Sequence, residues 1–191
     1  NIGGTRREGV ELGGSLPIGA LTLTARYSYL RATFQSGFVE NSPDNSTAAA
    51  DGSIAVNRGG RIPGVPAQLF KLRAQWDATA ALALGATLVA TGSQYARGDE
   101  NNLDDHGPVP GYAVMNLDAQ YRLDANWQLF ANVTNVFNAR YQNFGILGVD
   151  YFRGPGNAFA PALAAPEQFR TPGAPFGAWI GVRYSFAAGR S

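Results

Sequence analysis

Hydrophobic side chains recur at every second position along much of this chain, with polar residues between them, which is the period of a strand with two unlike faces. The clearest block is LTLTARYSY, where Leu21, Leu23, Ala25, Tyr27 and Tyr29 alternate with Thr22, Thr24, Arg26 and Ser28. Before it, about Arg7 to Leu16, Val10, Leu12 and Leu16 oppose Glu11, Gly13 and Ser15. Phe70, Leu72, Ala74 and Trp76 then oppose Lys71, Arg73, Gln75 and Asp77. The stretch from Leu82 to Tyr95 keeps the rule with Val89 out of phase. Met115, Leu117, Ala119, Tyr121 and Leu123 face away from Asn116, Asp118, Gln120 and Arg122. Trp127 to Val133 and Phe176 to Phe186 complete seven predicted strands. Beyond Val133 the alternation breaks at Asn135-Val136-Phe137 and gives way to aromatic and amide residues.

The connections decide what the strands build. Short turns at Pro17-Ile18-Gly19, Ala78-Thr79-Ala80 and Asp124-Ala125-Asn126 alternate with long polar stretches, about Ser36 to Pro66, Arg97 to Gly111 and Asn138 to Pro175. A hairpin needs only a few residues, and loops this long are uncommon in compact soluble domains. Short turns on one rim and long loops on the other is the pattern of an outer-membrane barrel, with the short turns periplasmic. A soluble β-sandwich would instead turn the apolar faces onto a core.

Composition moves the balance toward lipid. Glycine (24 residues) and aromatic side chains are plentiful, and only 15% of residues are charged, low for a soluble surface. Fifteen basic against 14 acidic residues give no field for nucleic acid. Cysteine is absent, and the single His106 leaves little for a histidine metal centre or a Ser-His-Asp triad. No apolar run approaches the roughly 20 residues of a transmembrane helix. The opening Asn1-Ile2-Gly3-Gly4 is no signal peptide, and with even the initiator methionine missing the chain reads as cut from something longer. Seven strands is an odd number, and an open sheet has two unpaired edges in hydrocarbon. The expectation is an all-β chain whose residues 1–186 are the C-terminal portion of a larger transmembrane antiparallel barrel, followed by a short 187–191 tail.

Side-chain chemistry fits that picture. Trp76, Trp127, Tyr184 and Phe186 lie near the short-turn ends, and Tyr27, Tyr29, Tyr112, Phe137 and Tyr141 near the opposite ends, as two aromatic girdles at headgroup depth. Asn116, Asp118, Gln120, Arg122 and Arg183 are expected to line the lumen. A passive porin-like or adhesin-like barrel is the alternative within the membrane class; a soluble β-sandwich carbohydrate-binding protein is the alternative outside it.

Several stretches resemble the C-terminal barrel of TonB-dependent outer-membrane receptors. GTRREGVELGG, IPGVPAQLFKL, ARGDENN followed by VPGYAVMNLDAQYRL, and PGAPFGAWIGVRYSF are similar to successive elements of that family, and LFANVTNVFNARYQNFG to its most recurrent C-terminal pattern. The order is right over nearly the whole chain, and the style is nearest to ferric-siderophore or ferric-citrate receptors. One departure is the tail beyond Phe186, where such receptors usually end on the aromatic residue. The resemblance implies a 22-stranded barrel around an N-terminal plug, with the plug, the earlier strands and the TonB-contacting segment outside this sequence. It implies outer-membrane lipid and lipopolysaccharide as surroundings, a ferric siderophore as ligand, the TonB complex as partner, and no resident cofactor.

Candidate ligand contacts follow from the loops. Guanidinium groups bind planar oxygen anions, so Arg58, Arg61, Arg97 and Arg153 are candidates over the barrel mouth, with Tyr141, Phe144, Tyr151 and Phe152 as aromatic contacts. Asn132 and Asn135 are read as hydrogen bonding within the wall. The Arg97-Gly98-Asp99 tripeptide is read as a chance match to an adhesion motif. DENNLDD with His106 has oxygen ligands suited to a hard cation but not the spacing of a calcium loop, and is read as a solvated surface loop. RGGRIPGVP is no phosphate loop, because no helix or Lys-Ser/Thr follows it.

Overall fold

A computed structural model describes residues 3–186. The expectations placed on Asn1 and on the Ala187–Ser191 tail fall outside them. The strands are β1 (Thr5–Ile18), β2 (Leu21–Phe34), β3 (Phe38–Asn41), β4 (Ser53–Val56), β5 (Gln68–Asp77), β6 (Leu82–Thr91), β7 (Tyr112–Arg122), β8 (Trp127–Thr134), β9 (Gln142–Asp150), β10 (Ala165–Pro172) and β11 (Gly177–Tyr184). Seven of them form one sheet in the order β1-β2-β5-β6-β7-β8-β11, every neighbouring pair antiparallel. These are the seven strands that the alternation predicts. The sheet is open, with one edge at β1 and the other at β11, and among the described residues no second sheet covers its apolar face.

Register carries the two-faced pattern across the wall. On the apolar face Leu16, Leu23, Ala74, Ala86, Leu117, Val133 and Ala178 lie in line, and the next row is Ile18, Leu21, Trp76, Leu84, Ala119, Ala131 and Ile180. A one-residue slip at any pair would reverse faces for the rest of the sheet, so this agreement across seven strands fixes the register. The apolar rows stay exposed: Ile180 is 77% accessible, Leu12 62% and Val10 55%. In water such a surface would be an aggregation hazard; in lipid it is the outside of a barrel.

The short turns are locally encoded. Gly19 takes φ 58, which closes β1 to β2 in two residues, so Pro17 and Ile18 belong to the strand and not to the turn. The Thr79 hydroxyl accepts the N–H of Leu82 at 3.0 Å, and the Asp124 carboxylate accepts those of Asn126 and Trp127, both at 2.8 Å. All three turns lie at one end, and the long connections 35–67, 92–111 and 135–176 at the other.

Sequence periodicity misses what the long connections contain. The first holds the β3–β4 hairpin, whose Ile54 and Val56 pack on Phe34 in a small core with Phe38, Ala48 and Ile62. The third holds the longer β9–β10 hairpin. β2 runs on to Phe34 because its last residues are the floor of that core, whereas β6 stops at Thr91, short of the expected Tyr95. Beyond it, Gln94 pairs with Val109 inside the second loop.

Candidate functional site

The polar face of the wall is a set of ordered contacts. Asp118 on β7 reaches over Gly85 on β6 to the Arg73 guanidinium on β5, a two-pronged pair at 2.8 and 3.0 Å, and Thr87 takes a further Arg73 N–H at 3.1 Å. Gly85 leaves the room that the Asp118 carboxylate occupies, and a Cβ there would push that carboxylate aside. Toward the short turns, Arg183 donates to Gln128 at 3.3 Å and Gln128 to Gln120 at 3.0 Å, with Arg183 also over the Phe130 ring. Gly181 leaves the space that Phe130 fills. Asp118, Gln120, Arg122 and Arg183 therefore share one face with Arg73. Asn116 shares its parity, and its Oδ1 accepts the backbone N–H of Asn135 at 2.9 Å.

On the apolar face the short-turn end is ringed by Trp76, Trp127, Tyr184 and Phe186. The Trp127 and Tyr184 rings lie 4.8 Å apart, and those of Tyr184 and Phe186 also 4.8 Å. Tyr27 and Tyr29 sit toward the loop end of the same face, joined by Phe70 opposite Tyr27. Tyr112 does not join them. It opposes Thr91 on the polar-face parity, where its ring packs on Tyr141 at 4.3 Å.

The phase break after β8 is a turn lock. Asn135 takes φ 47, is almost fully buried, and satisfies its whole amide group. Its Nδ2 donates to the carbonyls of Ala139 (2.9 Å) and Ala174 (3.0 Å), and its Oδ1 accepts the Ala139 N–H at 2.9 Å. Asn138 takes φ 48 and accepts the Phe176 N–H at 3.0 Å, so both ends of the third loop are held at one place.

The three long loops form one hydrogen-bonded body. From the first loop, Ser42 and Asn45 donate to the Gly98 carbonyl at 2.7 and 3.0 Å, and Arg61 and Asn102 exchange two bonds through backbone and amide. The Ser46 N–H donates to Asp104 at 2.9 Å. From the third loop, Arg97 and Ile146 pair as a parallel bridge, Gln94 donates to the Asn143 carbonyl at 2.8 Å, and Gln168 to that of Gly107 at 2.9 Å. His106 sits between the loops, 2.8 Å from Asp104 and 3.4 Å from Glu167.

The acidic segment is thus a structural knot, not the solvated loop that its composition predicts. Asp99 is 0% exposed and its Oδ1 accepts the N–H groups of Leu103 and Asp104. Burial raises the Asp99 carboxyl above its ordinary range, against those two hydrogen bonds, and burial with nearby Glu40 does the same to Glu100. Asp104 is also buried, but the N–H of Ser46 and the His106 ring more than offset that cost and hold it low. With Asp99 inside, Arg97-Gly98-Asp99 presents no acidic group to a partner. Among the described residues no group of three or more His, Cys, Asp or Glu is placed to hold a metal ion.

The candidate ligand contacts separate into two kinds. Arg61 and Tyr141 are engaged in the fold: Arg61 donates to the Val65 carbonyl at 3.4 Å and lies over Tyr95, and Tyr141 packs on Tyr112 and against Gly173. Arg58 is exposed just after β4. Arg97 is exposed above the half-buried Phe144 ring, 5.9 Å from its centroid. Tyr151, Phe152 and Arg153 are exposed at the β9–β10 tip, where Phe159 packs on both rings and Arg153 approaches Glu167 at 3.8 Å. Phe159 carries no signal in the alternation because it sits between strands.

Residues 1–136 match the family model described as TonB dependent receptor-like, β-barrel. No curated protein matches the chain by sequence. Solved structures share its fold. The siderophore receptor PiuA from Acinetobacter baumannii is 19% identical with a TM-score of 0.65, the match covering 94% of this chain and 22% of that one. The ferric yersiniabactin uptake receptor FyuA from Yersinia pestis is 16% identical with a TM-score of 0.64, over 96% of this chain and 24% of that one. The copper transporter OprC is 20% identical with a TM-score of 0.60, over 95% and 23%. The chain thus spans about a quarter or less of the length of the proteins whose fold it shares.

Proposed function

The chain belongs to the TonB-dependent receptor β-barrel family, whose members are outer-membrane proteins of Gram-negative bacteria, and from that premise we propose that it works as the C-terminal wall and outward loops of a ferric-siderophore receptor. In this reading residues 1–186 are the barrel portion and 187–191 a tail, and the earlier strands and a lumen plug belong to the rest of the receptor. The iron belongs to the ligand. The work is binding and passage, with no bond made or broken.

The observation that carries the reading is the joined body of three long loops at one end of a family-matched wall. A pre-formed loop body binds at less entropic cost than three free loops. Arg97 over Phe144 offers a guanidinium group next to an aromatic face, and Arg153 is exposed on the same tip as Tyr151, which suits an anionic chelate with aryl or planar oxygen donors. Arg58 adds positive charge, while Arg61 and Tyr141 contribute mainly by fixing the loops. Asn116, Asp118, Gln120, Arg122 and Arg183 face the lumen, toward plug and water. The likeness to both siderophore receptors and a copper transporter fits metal-chelate uptake in general, so the loop chemistry is what favours a siderophore.

The test is iron uptake by cells whose sole siderophore receptor is the full-length protein. Uptake of radioactive ferric siderophore that stops when the proton-motive force is dissipated or TonB is removed supports the reading. Uptake that persists without energy would make the protein a passive barrel.

A further inference from the structure

His106 is the one histidine in the sequence, and its ring lies between two carboxylates from different loops. Nδ1 is 2.8 Å from Asp104 of the second loop, and Nε2 is 3.4 Å from Glu167, which β10 carries in the third. The other oxygen of Glu167 is 3.8 Å from Arg153 at the hairpin tip. Carboxylate, imidazole, carboxylate and guanidinium thus form a line that runs from one loop into the next.

The two ends of the ring are unequal. The Asp104 side chain is 0% exposed and accepts the backbone N–H groups of Ser46 and of His106 itself, at 2.9 and 3.0 Å. Burial raises the Asp104 carboxyl, but these bonds and the ring outweigh that cost and hold it low, so it stays ionised above mild acid. An ionised carboxylate can only accept, so the proton of a neutral ring sits on Nδ1. Nε2 then turns a lone pair toward Glu167. A second proton makes Nε2 a donor as well, and the ring serves both carboxylates. The ring is 31% exposed, so that proton exchanges with water. Imidazole is the side chain that ordinarily changes charge between about pH 5 and 8.

On the second loop the ring is faced by Asp104, with exposed Asp105 beside it and buried Asp99 bonded to the Asp104 N–H. On the third it is faced by Glu167 and, through Glu167, by Arg153. The first loop reaches this place with Ser46, which is uncharged. The other bonds between the second and third loops, from Gln94, Gln168 and the Arg97–Ile146 bridge, use amide and backbone groups that keep one state over this pH range.

We propose that His106 is a proton-operated latch between the second and third loops. Protonated, it donates to Asp104 and Glu167 together and pins the outer half of the β9–β10 hairpin. Neutral, it keeps Asp104 and leaves Glu167 to Arg153. Acidification therefore also draws Glu167 away from Arg153 and frees that guanidinium for an anion. The latch rests on the contacts between the loops and stands whichever ligand they take.

Hydrogen exchange of the full-length receptor in lipid vesicles, compared at about pH 5 and about pH 8 and corrected for intrinsic rates, reads the latch on the β9–β10 hairpin. This is apart from the second-loop residues on which Asp99 acts. In the wild type the hairpin should be about three- to fivefold better protected at the acid end. His106→Gln keeps a donor for Asp104 but takes up no proton, and should abolish the difference. Glu167→Gln removes the charge that the imidazolium reaches and should shrink the difference to below about twofold. Its exposed position keeps the test open if His106→Gln fails to fold. Equal wild-type protection at both pH values overturns the proposal, and so does a full difference that survives either substitution.

Discussion

Asn135 is the residue whose loss should be felt most in the wall, and its cost can be worked from its contacts. Its amide makes three side-chain hydrogen bonds, with the Ala139 carbonyl, the Ala174 carbonyl and the Ala139 N–H, at 2.9, 3.0 and 2.9 Å. The residue is 3% exposed, so water does not readily replace them. Each such bond contributes about 1 kcal/mol net. Its φ of 47 adds about 1 kcal/mol for a residue with an ordinary Cβ. Asn135→Ala should therefore destabilise the barrel by about 4 kcal/mol, and Asn135→Gly by about 3, since glycine tolerates the backbone but not the lost bonds. Asn135→Asp should be worst at neutral pH, because its second oxygen would face two carbonyl oxygens, and acidification should partly rescue it. The assay is denaturant unfolding of the full receptor in lipid vesicles, followed by the mobility shift between folded and unfolded barrel. An Asn135→Ala variant within about 1 kcal/mol of wild type, or a glycine variant less stable than alanine, would refute the account.

Gly85→Ala should dislodge Asp118 and cost about 1–3 kcal/mol, and the cost should shrink when Asp118 is already alanine; simple additivity in that double-mutant cycle would deny the Arg73–Gly85–Asp118 arrangement. Leu117→Arg places a charge on the lipid face near mid-depth and should cost about 2–4 kcal/mol in vesicle refolding, whereas Gln120→Arg on the polar face should cost far less; equal penalties would mean the faces are assigned the wrong way round. Asp99 is held above its unfolded value of 3.8 by burial, so the stability it withholds at neutral pH is regained as pH falls through its raised value toward 3.8. The protection of residues 92–111 from hydrogen exchange, corrected for intrinsic rates, should thus rise on mild acidification more in wild type than in Asp99→Asn, and parallel curves would count against it. Arg97→Ala with Arg153→Ala should weaken ferric-siderophore binding by about tenfold or more while leaving the barrel's folding yield unchanged; unaltered affinity would remove both arginines from the site.

The wall was legible because its code is local and repeated. LTLTARYSY shows both faces within nine residues, and the opposite faces of β5 and β7 repeat it with different side chains. The turns were nearly as readable, and the boundary difference at Pro17 and Ile18 arose because Gly19 closes the turn more tightly than its neighbours suggest. The hairpins β3–β4 and β9–β10 were not legible. Four-residue strands such as FVEN and SIAV carry too few periods to stand out, and their stability comes from Phe34, a residue distant in sequence from Ile54 and Val56.

Side-chain chemistry misled wherever tertiary burial reassigned it. DENNLDD reads as a wet acidic loop, yet Asp99 and Asp104 accept the backbone N–H groups that let the second loop fold back on itself and on Ser46. Arg61 and Tyr141 have the right chemistry for a ligand and also make contacts within the loops, which the sequence does not reveal. Tyr112 was assigned to an outer girdle by its position along the chain, but parity decides which side of a wall a residue occupies, and one residue's offset put it inside, on Tyr141. In a barrel wall the type of a residue proposes its role, but parity and depth assign it.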